Sequence, residues 1–189
     1  MLGAAAAIVG LAVAVTGCTS GVKDDKASPP QPSTSPALSA SAASPSASAD
    51  PVEAEKADVK AAYSRYWGVL TQVFAQADST GTDLKTVASG TSYAETETGL
   101  ANMRRSGRVM TGQADHSKIV VELKEGTKLP TAAVTACVDV TRWNLVDKKT
   151  SQPVPLPSQR LLRYITVSTI EKWPSGWVVI EEKIQDQAC

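Results

Sequence analysis

The chain has 189 residues, 42% of them hydrophobic and 5% aromatic, with 19 Lys+Arg against 19 Asp+Glu. That length suits one domain plus accessory segments, and zero formal charge argues against a nucleic-acid binder. One His and three Cys are too few for a His-based metal site or a zinc finger, and nothing in the sequence calls for a cofactor.

Leu2 to Val15 carry no charged or strongly polar side chain. As a helix this run would be about 21 Å long, short of a hydrocarbon core of roughly 30 Å. It therefore reads as the apolar centre of a secretory signal over residues 1–17 rather than as a spanning helix. No Lys or Arg precedes it, so either the terminal amine supplies the positive charge or translation starts further upstream. The run ends in Val15-Thr16-Gly17-Cys18. An apolar residue, two small residues and then Cys resemble the lipobox of bacterial lipoproteins. The resemblance implies that Cys18 is acylated and becomes the first residue of the mature chain, anchored on the outer face of the cell membrane. Stable anchoring takes two or more acyl chains. The alternative is a plain secretory peptide with Cys18 beside its cleavage site.

Three cysteines leave one over in an exported protein. With Cys18 lipidated, Cys137 and Cys189 remain as a pair, and outside the cytoplasm a disulfide between them is expected. The alternative is two free buried thiols. Residues 18–50 form a tether: of the 32 residues 19–50, 21 are Pro, Ser or Ala. Such a segment cannot bury enough apolar surface to offset its chain entropy. The Ser20–Lys23 match to S-x-x-K lies in this tether, without a helix or pocket to activate the Ser, and is set aside.

The domain spans 51–189, with helices over 51–107 and a sheet over 108–185. Asp50, Pro51 and Glu53 make a helix start: an N-cap, a proline in the first turn, and an acid three residues after the cap. Val59, Tyr63, Tyr66, Leu70, Val73 and Ala77 recur every three or four residues as one helical stripe, widened by Trp67 and Phe74. Gly68 interrupts it and would let the helix approach a sheet closely. A short helix over Asp83–Ser89 and another over Thr91–Ser106, stopped by Gly107, follow. From Arg108 the period becomes two. Arg108–Ala114 and Ser117–Leu123 read as strands joined by a hairpin at Asp115-His116. Ala132–Trp143 reads as one long strand, with Val134, Ala136, Val138 and Val140 opposite Thr135, Cys137, Asp139 and Thr141. Residues 144–159 read as a Pro-rich loop, and Arg160–Trp173 as a strand. A turn at Pro174-Ser175-Gly176 leads to a last strand, Trp177–Ile184, with Val178, Ile180 and Ile184 on one face.

Helices first and antiparallel strands after predict an α+β domain, helices packed on one face of a curved sheet. This order resembles the nuclear transport factor two-like, or cystatin-like, cone. Ala136-Cys137-Val138-Asp139-Val140, Trp143, Val146-Asp147, Trp177-Val178-Val179 and Cys189 resemble a group of actinobacterial lipoproteins with that fold. The resemblance implies little about activity, since most such members have none assigned and the cone hosts enzymes and inert scaffolds alike.

Chemistry-bearing residues are sparse. Arg104, Arg105 and Arg108 read as a solvated helix end, and Asp115-His116 as an exposed turn. No nucleophile elbow, phosphate loop, dinucleotide fingerprint or zinc-protease motif occurs. If 132–143 pairs with 160–173, Asp139 falls near Arg163 or Tyr164, and Tyr66, Trp67, Asp139 and Arg163 are the candidate cavity residues. Asp139 is either a cavity base or half of a cross-strand ion pair on the solvent face; its sharing of a face with Cys137 favours the ion pair. The leading reading is a non-catalytic, lipid-anchored binding or assembly module of the cell envelope. The alternative is an isomerase- or cyclase-like enzyme with Asp139 as base. A third reading is an accessory domain for a cell-wall or envelope partner protein.

Overall fold

The computed structural model describes residues 50–189. Cys18, the signal expected over 1–17 and all of the tether but Asp50 lie outside the described residues. The elements are α1 (Pro51–Gln76), α2 (Leu84–Val87), α3 (Gly90–Ser106), β1 (Arg108–Gly112), β2 (Asp115–Lys124), β3 (Thr131–Asp139), β4 (Trp143–Asp147), β5 (Arg163–Trp173) and β6 (Gly176–Ala188). Among these residues no helix is long and apolar enough to cross a membrane.

The Asp50 carboxylate accepts the Val52 amide at 2.9 Å, and Pro51 opens α1. Every member of the Val59-to-Ala77 stripe is buried. The helix ends in Ala77, left-handed at φ 55°, whose carbonyl accepts a 2.8 Å hydrogen bond from the Arg104 guanidinium. Gly107 closes α3 in the same left-handed conformation. Gly68 faces outward, and a Cβ there would touch nothing within 4 Å, so it permits no close approach to a sheet.

Four strands, in the order β2-β3-β5-β6, form the antiparallel main sheet, and β1-β4 form a separate two-stranded ribbon. The helices cover one face of the main sheet. Ala132, Val134, Ala136 and Val138 of β3 meet Tyr63, Leu70 and Leu100 there in one buried cluster. Each fully buried Val or Leu side chain contributes about 1.5–3 kcal/mol, and this cluster is the core of the α+β domain.

The expected β1–β2 hairpin does not form. β1 pairs with β4 instead, Met110 opposite Leu145. Gly112 is the corner: its φ is 77°, and a Cβ there would lie 1.9 Å from the Arg142 carbonyl oxygen. Asp115 and His116 are then not a turn; they start β2, opposite Asp139 and Val138.

The strand expected over 132–143 also divides. The Asp139 carboxylate accepts the Thr141 amide at 2.9 Å and its hydroxyl at 2.6 Å, folding the chain into a side-chain-stabilised turn. Trp143 thus enters the second sheet as the start of β4, whose remaining residues, 144–147, fall in the segment expected to be loop. Asp147 makes a similar turn with the amides of Lys149 and Thr150, which returns Val154 to the Leu145 carbonyl.

In the last strand the structure overturns the expected single face shared by Val178, Ile180 and Ile184. Thr169 pairs with Glu181 but Ile170 pairs with Val179, leaving Ile180 unopposed in a β-bulge. Trp177 and Val179 therefore face the helices before the bulge. Beyond it the alternation resumes one residue out of phase, and Glu182 and Ile184 take the helix-facing positions, opposite Ser168 and Thr166. The start of α3 packs on the bulge. The Thr91 hydroxyl donates to the Ile180 carbonyl at 3.2 Å, and a Cβ on Gly90, at φ 56°, would lie 2.8 Å from that oxygen.

Cys137 and Cys189 form a disulfide. It lies on the face of the sheet opposite the helices, reaching from the end of β6 across β5 to β3.

Candidate functional site

Between α1, α3 and the helix-facing side of β5 and β6 lies a cavity of about 230 Å³. Tyr66, Trp67, Phe74, Trp143 and Tyr164 supply aromatic walls, and Glu95 and Glu182 the carboxylates. Each is there for a local reason. Tyr66 and Trp67 belong to the apolar face of α1, with Phe74 two turns further on. Trp143 arrives through the Asp139 turn, and its ring meets Trp67 at 5.8 Å and Phe74 at 5.5 Å, both edge-on. Glu182 arrives through the bulge at Ile180.

Glu182 is the chemically distinctive group. Its carboxylate accepts a 2.9 Å hydrogen bond from Ser168, a fully buried serine directly across the β5–β6 pair. No Lys, Arg or His lies within ion-pair distance of it among the described residues, whereas six other acids are so paired. Burial pushes the Glu182 carboxyl up to about 7, and the charge of Glu95 adds to the rise. The Ser168 hydroxyl and the nearby Trp67 indole pull it partly back. Burial likewise raises Tyr63, Tyr66 and Tyr164, with the Glu182 charge the next cause in each.

The walls also hold unused donors. Among the described residues the buried indole nitrogens of Trp67 and Trp143 have no hydrogen-bond partner. A buried Trp N–H normally finds an acceptor, so these two unpaired donors mark an imperfectly satisfied layer behind the cavity walls. Two of the tyrosine hydroxyls are engaged: Ser92 donates to Tyr66 at 2.9 Å, and Tyr63 and Thr166 share a hydrogen bond at 3.4 Å.

The four cavity candidates from the sequence separate. Tyr66 and Trp67 line the cavity. Asp139 and Arg163 sit opposite each other on the other face of the sheet, beside the disulfide, as an ion pair at 3.6 Å. The turn with Thr141 holds the Asp139 carboxyl below its ordinary range, Arg163 adding to the effect, and the side chain is half-buried on that outer face. A carboxylate so placed cannot abstract a proton from a molecule in the cavity, so Asp139 is no cavity base. Glu182 is the residue that sequence reasoning missed. It stands between Glu181 and Lys183 in an apparently solvated strand end, and only the bulge turns it inward.

His116 is not exposed at a turn. It packs on Trp67 with ring centres 4.4 Å apart, and edge-on to Tyr63 at 5.6 Å. Burial lowers its pKa, against the opposing pull of Asp115. Arg104, Arg105 and Arg108 are exposed, with Arg104 spent on the Ala77 carbonyl. Of the other hollows, one of about 270 Å³ under the 153–162 loop brings a single charged residue, Arg160. Among the described residues no group of His, Cys, Asp and Glu is arranged to hold a metal ion.

No protein-family model matches the chain, and neither does any curated protein. Among solved structures it is similar to the intermembrane space region of the chloroplast protein ARC6, with 15% identity, a TM-score of 0.44, and coverage of 73% of this chain and 98% of that one. It is also similar to a protein of unknown function with a cystatin-like fold from Nostoc punctiforme, with 12% identity, a TM-score of 0.38, and coverage of 68% and 88%. A third is the Kfla4162 protein from Kribbella flavida, with 15% identity, a TM-score of 0.40, and coverage of 71% and 91%. Nothing about ligand or activity is carried over from likeness at this level.

Proposed function

We propose that this chain is a lipid-anchored extracytoplasmic protein of the cell envelope, and that its domain is a non-catalytic binding module with the Glu182 cavity as its binding element. The observation that carries the binding reading is a carboxylate lining a partly aromatic cavity with no cation beside it. Such an arrangement costs stability, and perturbed groups of this kind concentrate at sites that use them. The anchoring reading rests on the Val15-to-Cys18 sequence, together with the disulfide that accounts for the other two cysteines.

Two experiments test it. Cys18→Ser, expressed in a host that processes lipoproteins, moves the protein from the membrane to the soluble fraction; unchanged membrane retention overturns the anchor. Titration of the domain with a panel of small neutral, cationic and anionic compounds shifts the indole N–H resonances of Trp67 and Trp143. A panel that moves neither resonance overturns the cavity reading.

A second reading, an isomerase-like enzyme, has one observation in its favour: Glu182 keeps its proton up to about 7, where a general base works near neutral pH. Its base would be Glu182 and not Asp139. The two readings divide on the fate of the bound molecule in deuterated water. A binding module returns it unchanged, and a proton-abstracting enzyme returns it with deuterium at the attacked carbon.

A further inference from the structure

The walls of the cavity narrow the class of ligand. Tyr66, Trp67, Phe74, Trp143 and Tyr164 offer ring faces and edges, and Glu95 and Glu182 bring two negative charges. Among the described residues no cationic side chain makes an ion pair with either acid. An anion would meet two carboxylates and no countercharge. A neutral apolar molecule would leave the Glu182 carboxylate with its Ser168 hydrogen bond but no countercharge, which is costly in a partly desolvated site. A cation carried on a small organic skeleton satisfies the carboxylate and the ring quadrupoles together. At about 230 Å³ the space is below the 300–1,000 Å³ of sites for drug-sized molecules, so the occupant is small.

We infer that the cavity between α1, α3 and β6 is a binding site for a small organic ammonium ion, held against the aromatic walls and the Glu182 carboxylate. This rests on the cavity being the binding element proposed above, and it names the ligand class for it.

The test compares choline with 3,3-dimethylbutan-1-ol, which has the same shape and hydroxyl but no charge. Binding to the domain is followed by calorimetry and by the Trp67 and Trp143 indole resonances. Choline is expected to bind about tenfold or more tightly than the alcohol. Glu182→Gln, which keeps the shape of the side chain, should remove most of that preference while leaving the alcohol within about twofold. Choline binding should also strengthen as pH rises through about 7 and Glu182 ionises; the other titratable groups facing it are Glu95 on α3, Tyr63 and Tyr66 on α1, and Tyr164 on β5, the tyrosines all raised further above their ordinary range. The alcohol binding as well as choline, or a choline affinity unchanged in Glu182→Gln, overturns the ammonium inference and leaves the cavity reading standing. Silence toward both probes and toward the neutral, cationic and anionic panel overturns the cavity reading itself.

Discussion

Replacing Glu182 by Gln should make the protein more stable, and only above a definite pH. An unfolded chain ionises a glutamate near 4.5, while the folded cavity holds Glu182 protonated up to about 7. Below 4.5 both states are protonated and the residue makes no difference. Between 4.5 and 7 the unfolded chain has released the proton and the folded chain keeps it, so stability falls as pH rises. Above 7 the loss is complete. At 1.36 kcal/mol for each tenfold difference in proton affinity, the full loss is about 3 kcal/mol, a ceiling because solvent at the cavity mouth screens part of it. The assay is urea denaturation of wild type and Glu182→Gln at several pH values from about 4 to about 8.5. His116 works in the opposite direction as pH falls below its ordinary range. Asp78, Asp139 and Asp147, all held below theirs, add stability that is lost only in more acid solution. These backgrounds are common to both proteins and cancel in the difference. The expected difference is near zero at the acid end and grows through the 4.5–7 window to a plateau of up to about 3 kcal/mol. A difference independent of pH would refute the reasoning, because Glu182 would then ionise alike in both states.

Loss of the disulfide through Cys137→Ser should lower unfolding stability by about 4 kcal/mol for a separation of 52 residues, read as a fall in the urea midpoint under non-reducing conditions; an identical midpoint would mean the bond does not form in solution. Gly112→Ala should cost at least about 2 kcal/mol, since its φ of 77° strains any side chain and an added Cβ would run into the Arg142 carbonyl oxygen. Gly68→Ala should raise stability by about 1 kcal/mol, the helix-propensity difference at an exposed position where a Cβ touches nothing. Thermal melts distinguish the two glycines by the sign of the change.

What the sequence reveals and what it hides divide by distance along the chain. The start of α1 is legible because Asp50 and Pro51 act on amides one or two residues away. The buried stripe from Val59 to Ala77 is legible because a helix repeats its own period. The outer-face position of Asp139 follows from simple alternation through Cys137 in a regular strand. The rest depends on partners far away. That Asp139 folds back on Thr141 and ends β3 is a choice between turn and strand, decided by where Trp143 is needed in the second sheet. The corner at Gly112 is visible only against Arg142, thirty residues on. Glu182 is the extreme case. Its polarity, flanked by Glu181 and Lys183, is that of a solvated strand. Its position depends on one unopposed residue, Ile180, held by the first turn of α3. A period-two reading carried through that point assigns every later residue to the wrong side of the sheet.

The bond between Cys137 and Cys189 also bears on how copies of this protein meet. β6 is an outer strand of the main sheet, the kind of element that can swing out and insert into a neighbour in exchange for its counterpart. With its end fastened across β5 to β3, it cannot leave without dragging an interior strand along. Oxidation thus works as a lock on strand exchange, and each copy keeps its sheet to itself as long as the bond stays closed.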